Sequence, residues 1–308
     1  MKTNYLLTII GPTAIGKTAL SLALANHFGS EIVSCDSRQF YKEMQIGTAV
    51  PSQTELSIAP HHFIQTKSIF EPYSVGDFER EALQKIEELF TQQNVQIMVG
   101  GSGLYVDAIL KGFDDFPIIE PSVREEIKQK YETKGLIYLQ ETLEKTDLNY
   151  YQTLRKENPQ TLQNPQRMMR FVEVSIGSGK PYSSFLNQKK NTRNFTPIII
   201  GLEAEREIMY DRINRRVDLM MQEGLLGEVK KLYPNRHLNA LQTVGYRELF
   251  DYFDEKSSLD FAIEEIKKNT RRFAKRQLTW FKRTDDVKWF DYEEAISTIT
   301  KFVEERII

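Results

Sequence analysis

The run Gly11-Pro12-Thr13-Ala14-Ile15-Gly16-Lys17-Thr18 has the spacing G-x-x-x-x-G-K-[ST]. Residues of these types at this spacing bind anions. The glycines let the backbone curl until several N–H groups point at one anion, and the N-terminus of a following helix adds partial positive charge. Lys17 is placed to reach a terminal phosphate and Thr18 to set its hydroxyl on Mg²⁺. The motif specifies a polyphosphate and leaves open whether a nucleoside is attached. A second segment, Cys35-Asp36-Ser37-Arg38-Gln39, brings a carboxylate, a hydroxyl, a guanidinium and an amide within four residues. Asp36 can accept a proton or hold a metal, Arg38 can bind an anion, and Gln39 can read a base edge. A third, Gly100-Gly101-Ser102-Gly103-Leu104-Tyr105, offers a hydroxyl and a backbone that a ligand can approach closely. A solvated turn with a helix cap competes for the second segment, and a plain tight turn for the third.

These segments need elements to hold them. Tyr5 to Ile10 is a continuous apolar run, as a parallel strand buried on both faces requires. Leu20, Leu22, Leu24, Ala25 and Phe28 give 18–28 helical spacing, closed by Gly29. Glu31 to Ser34 and Val95 to Val99 read as further strands, with an amphipathic helix from Phe78 to Gln92 between them. This alternation predicts a P-loop NTPase-like α/β fold, a parallel sheet flanked by helices. Ligands of such sheets sit at the carboxyl ends of the strands, where all three segments fall. From 117 to 189 the chain turns polar and helical, with helices expected at 122–134, 136–145 and 165–176. It reads as an inserted helical domain, with 1–116 and 190–308 forming the core domain. A strand at 196–202, a helix at 206–222 capped by Gly224, a long helix at 259–282, an edge strand at 287–290 and a closing helix at 293–305 complete the core.

The long helix is basic. Between Glu264 and Thr284 eight Lys and Arg stand against two Glu, with Phe273, Trp280 and Phe281 interleaved. Lys268, Arg272 and Lys275 or Arg276 share a face. This is the composition of a phosphate-backbone footprint, and equally of a solvated face over a core. Arg167 and Arg170, three apart on one predicted helix, form a second basic pair, and Arg212, Arg215 and Arg216 a third group.

Composition narrows the classes. The 308 residues are 40% hydrophobic and 27% charged, which excludes a disordered, collagenous or coiled-coil chain. The formal net charge is −2, so RNA binding requires local patches. No apolar stretch reaches membrane-spanning length, so no membrane partner is expected. Cys35 is the single cysteine, which forbids an internal disulfide and fits a cytoplasmic setting. Cys35 itself reads as a small residue at a strand end. His61 and His62, adjacent and with no cysteine cluster, do not make a metal site.

The motifs, taken in order, resemble the tRNA dimethylallyltransferase (tRNA isopentenyltransferase) family. The matching stretches are GPTAIGKT at 11–18, DSRQFY at 36–41, IGTAVP at 46–51, PHHFI at 60–64, YSVGDFEREA at 73–82 and VGGSGLY at 99–105. NPQRMMRFVEV at 164–174, NRRVDLMMQEGLLGEV at 214–229, VGYRE at 244–248 and RRFAKRQLTWFKR at 271–283 follow. They span nearly the whole chain. Ser102 departs from the usual Thr but keeps the hydroxyl. The resemblance implies transfer of a dimethylallyl group from dimethylallyl diphosphate to the exocyclic amine of an adenine beside the anticodon, with Mg²⁺ as cofactor. It implies Asp36, Lys17 and Thr18 as catalytic residues, Gly11 to Thr18 as the diphosphate site and Thr18 as the Mg²⁺ ligand. Contacts to the tRNA anticodon stem-loop would come from Asp36, Ser37, Arg38, Gln39, Ser102, Arg124, Gln166, Arg167, Met168, Met169, Arg170, Arg272 and Arg276. A monomer with no obligate protein partner is expected, because the basic surfaces must stay free for RNA. The rival readings are a kinase, a prenyltransferase of free adenine nucleotides, and an RNA-binding protein without activity. A kinase leaves the basic groups without a use. A free-nucleotide enzyme needs no large basic surface.

Overall fold

The computed structural model describes residues 3–188 and 192–307. The chain divides into two compact units, Met1–Gly112 with Arg193–Ile308, and Phe113–Thr192. The boundary expected between 189 and 190 lies outside the described residues.

The first unit runs β1 (Tyr5–Ile10), α1 (Lys17–Phe28), β2 (Ile32–Ser34), α2 (Gln53–Ile58), β3 (His61–His62), α3 (Val75–Phe90), β4 (Val95–Val99) and α4 (Gly103–Leu110). The second unit holds α5 (Pro121–Lys134), α6 (Leu136–Thr146), α7 (Leu148–Glu157) and α8 (Pro165–Ser178). The first unit then resumes with β5 (Thr196–Glu203), α9 (Arg206–Gln222), α10 (Leu225–Leu232), α11 (Tyr246–Phe253), α12 (Leu259–Phe281), β6 (Val287–Asp291) and α13 (Ile296–Glu304).

The six strands form one sheet in the order β3-β2-β4-β1-β5-β6, and every pairing is parallel. With the phosphate-type loop between β1 and α1, this is the P-loop NTPase-like α/β fold that the strand–helix alternation predicts. All six residues of β1 are buried, which is why the strand carries no polar alternation. One face of the sheet packs on α1 and α13 through Leu20, Leu24, Ile299 and Val303. The other packs on α3, α4 and the end of α12 through Phe78, Ile86, Val106 and Phe281. A separate cluster joins α9 to α12 through Val217, Val229, Leu249 and Ile266.

Local signals explain most ends. Ser74 and Asp77 form a reciprocal capping box at the start of α3. Gly29 ends α1 in the left-handed region at φ 61°. Gly224 does not close α9 as expected. Its φ of 102° opens α10, and Glu223 ends α9. The sequence reading also missed α2, β3, α4, α7, α10 and α11, which are short. A two-residue edge strand and helices of two to three turns carry too little periodicity to separate from loops.

In the helical unit, Leu139, Leu143, Met168 and Val172 form a core with α5 through Ile127. Asn164 caps α8 by accepting from the Arg167 N–H, and Pro165 occupies its first turn.

Candidate active site

The phosphate-type loop leaves the buried end of β1 and enters α1 through Gly16, whose φ of 110° is the left-handed conformation a side chain resists. Lys17 folds back on its own loop and donates to the carbonyls of Gly11 at 3.1 Å and Pro12 at 2.7 Å. Thr18 lines the cavity in front of the loop. That cavity has a volume of about 520 Å³ and extends to Glu55, His61 and Gln277.

Beyond β2, Cys35 is wholly buried, and burial raises its thiol pKa far above the ordinary value, so it stays protonated. Asp36 follows at the edge of the cleft, with its Oδ1 accepting the Arg38 N–H at 2.9 Å. This is a local turn bond that fixes the carboxylate's direction. Ser102 reaches across from the loop after β4. Its Oγ accepts the Ser37 N–H at 3.0 Å and donates to Ser37 Oγ at 3.1 Å. The two loops are thereby locked together beside Asp36.

A second cavity of about 330 Å³ lies next to the first, lined by Ser37, Arg38, Ser102, Val244 and Arg276 among others. The two cavities share Thr13, Asp36, Thr48, Arg216 and Phe273. Asp36 therefore stands where the chamber in front of the phosphate-type loop meets the second chamber.

Cations from α9 complete the first chamber. Arg212 Nε donates to the Ala14 carbonyl at 2.8 Å, and Arg216 Nη1 donates to Thr13 Oγ1 at 3.3 Å. Desolvation pulls Arg216 below its ordinary pKa, yet a guanidinium keeps its charge from so high a starting point. Burial first and the Arg216 charge second lower Lys17 to about 8. An anion on the loop favours the charged lysine. Affinity for a non-reactive alkyl diphosphate is thus expected to hold below pH 8 and to fall as the pH rises through about 8. The limiting slope is about tenfold per pH unit. Calorimetric titration across that window checks this, and a flat profile there would remove Lys17 from the anion site.

Two polar residues that the sequence reading did not select hold the site in register. Gln277 of α12 is buried. Its Oε1 accepts the Thr13 N–H at 2.9 Å and its Nε2 donates to the Gly101 carbonyl at 2.8 Å. One side chain thus ties the long helix to both glycine-containing loops. It falls in the buried stripe Ala262, Ile266, Ala274, Gln277 and Phe281, where a lone amide among apolar neighbours was the available signal. Glu228 of α10 accepts the N–H groups of Gln45, Ile46 and Gly47 and the Tyr246 hydroxyl. It shapes the segment that brings Thr48 to the cleft.

The other expected site residues divide. Arg38 lines the second cavity, but its Nη1 donates to the Asn239 and Ala240 carbonyls. Gln39 lines the first cavity, where its Nε2 donates to the carbonyls of Thr48 and Ala49 and its Oε1 accepts from Ser34 Oγ. In the helical unit Gln166 and Arg167 are exposed, and with Arg170 they line an open groove of about 500 Å³. Met168 is a correction. It points into the unit's core with no exposed surface, because α8 turns it to the side of Leu139 and Val172. Met169 packs partly against the same core. Arg124 and Arg170 both pair with the buried Glu173. On α12, Lys267 pairs with Asp218 and Glu264, Lys268 with Glu265, and Lys282 with Glu203. Among the described residues Arg271, Arg272, Lys275, Arg276 and Arg283 make no ion pair, so the net positive character of this stretch rests on them, Arg271 donating only to the neutral Asn214 Oδ1. His62 meets Glu31 while His61 Nδ1 meets the Ala59 carbonyl, so the adjacent histidines serve different partners.

Comparison with known proteins bears on the whole chain. The profile of the family described as IPP transferase matches residues 39–284. A tRNA dimethylallyltransferase of Flavobacterium johnsoniae is 70% identical over 304 residues, covering 99% of this chain and 98% of that protein. The crystal structure of the full-length tRNA isopentenylpyrophosphate transferase of Bacillus halodurans superposes with a TM-score of 0.72 at 36% identity, covering 99% of this chain and 97% of that one. A eukaryotic dimethylallyltransferase solved acting on tRNA gives a TM-score of 0.73 at 28% identity, over 99% of this chain and 77% of that one. A profile spanning most of the chain and relatives aligned from end to end, on a site of this geometry, place the chain in the IPP transferase family, the tRNA dimethylallyltransferases.

Proposed function

We propose that this chain transfers a dimethylallyl group from dimethylallyl diphosphate to the exocyclic amine of an adenine beside the anticodon of tRNA, releasing diphosphate. The observation that carries this reading is the shared wall of the two cavities. A phosphate loop with added cations lies on one side, a polar chamber on the other, and Asp36 at the junction. A transfer between two substrates that enter separately needs that arrangement.

The diphosphate sits on the N–H groups of Gly11 to Thr18, with Lys17 leaving its loop carbonyls to meet it and Arg216 beside it. The adenine enters the second cavity, out of its stack, as RNA loop bases are commonly bound. The carbon–oxygen bond to diphosphate breaks and the carbon–nitrogen bond forms. The electron pair leaves with the diphosphate, and the amine proton passes to Asp36. An adenine amine is a weak nucleophile because its lone pair is delocalised, so a positioned base has a large effect. Lys17 and Arg216 stabilise the charge growing on the leaving group.

A hard oxygen site for Mg²⁺ fits the residues present. Thr18 lines the cavity in front of the phosphate loop, and its hydroxyl would hold the ion there. The ion, when bound, neutralises diphosphate charge.

Ser37, Arg38 and Ser102 would hold the adenine and its neighbours, and Arg272 and Arg276 the backbone. In the helical unit Gln166 and Arg167 offer exposed donors and Arg170 lines the same groove, with Arg124 and Met169 as further contacts. Among the described residues no helix is long and apolar enough to cross a membrane. The reaction is assigned to the cytoplasm, to a monomer acting without a protein partner.

Incubation with Mg²⁺, labelled dimethylallyl diphosphate and either unmodified tRNA or free AMP tests the reading. Label on tRNA alone supports it. Label on AMP makes the enzyme a free-nucleotide prenyltransferase. No label on either, with phosphoryl transfer from ATP instead, makes it a kinase. Arg272→Ala with Arg276→Ala is expected to weaken RNA binding and to lower the slope of log affinity against log salt by about two. An unchanged slope would make that helix face a solvated surface only.

A further inference from the structure

Trp280 is unusual among the large side chains of the α/β unit. The residue is 38% exposed, yet hydrogen bonding and packing fix the position of its ring. The indole Nε1–H donates to Asp107 Oδ2 at 2.8 Å, and the Lys111 ammonium lies 3.0 Å from the other oxygen of that carboxylate. The five-membered ring rests on the backbone of Gly103, where a Cβ would come within 2.4 Å of the ring. A side chain that only filled the core would bury its surface. Here a glycine, a carboxylate and a lysine hold an aromatic plane in place while much of it faces solvent.

Its location gives that plane a use. Gly103 directly follows Ser102, and Arg276 lies one helical turn before Trp280; both Ser102 and Arg276 line the second cavity. Arg272, Arg276 and Trp280 recur every four residues and so form one stripe along α12. Arg283 stands exposed just past the helix end. Leu104, 43% exposed, adds apolar surface beside Gly103. The plane therefore shares its helix face with one residue of the second cavity's wall, Arg276, and rests on the loop that carries another, Ser102. Among the described residues the arginines along this stripe make no ion pair.

We propose that Trp280 is a preformed stacking platform for an unpaired RNA base next to the one that enters the second cavity. The proposal rests on the transferase reading above and names one contact within it. A base drawn out of its stack leaves its neighbour without a stacking partner, and an ordered indole replaces that partner at little entropic cost because Asp107 and Gly103 have already fixed its rotamer. Arginines on either side suit the phosphates that flank such a base.

The test uses the full chain and an unmodified anticodon stem-loop RNA. Trp280→Leu is expected to raise KM for the RNA by about five- to a hundredfold, the usual range for loss of one stacked base. At saturating RNA its kcat should stay close to that of the wild type, and its affinity for a non-reactive alkyl diphosphate should be unchanged, which shows that the site has folded. Trp280→Phe should restore most of the RNA affinity, because a phenyl ring still stacks. RNA should also quench part of the wild-type tryptophan emission, and that part should be missing in Trp280→Phe. An unchanged RNA KM in Trp280→Leu, or equal quenching in wild type and Trp280→Phe, would overturn the platform. A wild type that modifies no RNA would overturn the transferase reading first, before any variant is compared.

Discussion

Asp36→Asn is expected to lower the transfer rate by about 10²–10⁴-fold while leaving RNA and diphosphate affinities nearly unchanged. That factor corresponds to about 3–5 kcal/mol of transition-state stabilisation. The substitution is close to isosteric. An asparagine oxygen can still accept the Arg38 N–H that Asp36 Oδ1 accepts at 2.9 Å, so the turn keeps its shape. What disappears is the ability to take a proton at the junction of the two cavities. Single-turnover transfer with saturating tRNA measures the chemical step, and a binding assay with the stem-loop measures the rest. A variant with full activity would remove Asp36 as the base. A variant that loses RNA affinity in parallel would make the carboxylate a binding group instead.

Arg216→Gln is expected to cost about 10²–10³-fold in kcat/KM, the range found when one preorganised donor to a developing negative charge is removed. Arg216 lies in both cavity walls and donates to Thr13 Oγ1, so its charge is applied beside the phosphate loop. Glutamine keeps a donor of moderate reach and loses the charge. The same substitution should raise the Lys17 pKa from about 8, because the Arg216 charge is one of the causes that lower it. The fall of diphosphate affinity with pH should move upward accordingly. A variant with wild-type kcat/KM would show that the charge is not directed at the leaving group. A lost rate with an unmoved pH profile would separate the effect on catalysis from the effect on Lys17. Arg216→Lys should recover only part of the loss, since an ammonium cannot reproduce the fork geometry of a guanidinium.

The sequence by itself settled what depends on neighbours along the chain. The predominantly apolar β1 and the loop spacing from Gly11 to Thr18 identified the phosphate-type strand–loop–helix unit, because each rests on local geometry. The charged helix at 206–222 and the buried strand at 95–99 were legible to the residue. The switch to a helical segment after β4 was legible from polarity. Asp36, Lys17, Thr18 and Ser102 stood out because their types fit the chemistry and they follow strand ends.

Only the tertiary structure decided which distant residues join them. Arg216 was one member of a basic group until α9 packed beside the loop some 200 residues earlier and brought its guanidinium to Thr13. Gln277 looked like one more polar residue of a charged helix, yet burial aims both ends of its amide at loops 264 and 176 residues away. Met168 shows the converse. Its position within a matching motif points to RNA, but the face that α8 turns inward buries its side chain in the helical unit's core. Spacing along a chain fixes which side of a helix or strand a residue takes. Which elements pack on that side, and whether a polar group finds its partner in the protein or is left for a ligand, depends on long-range burial that no local pattern encodes.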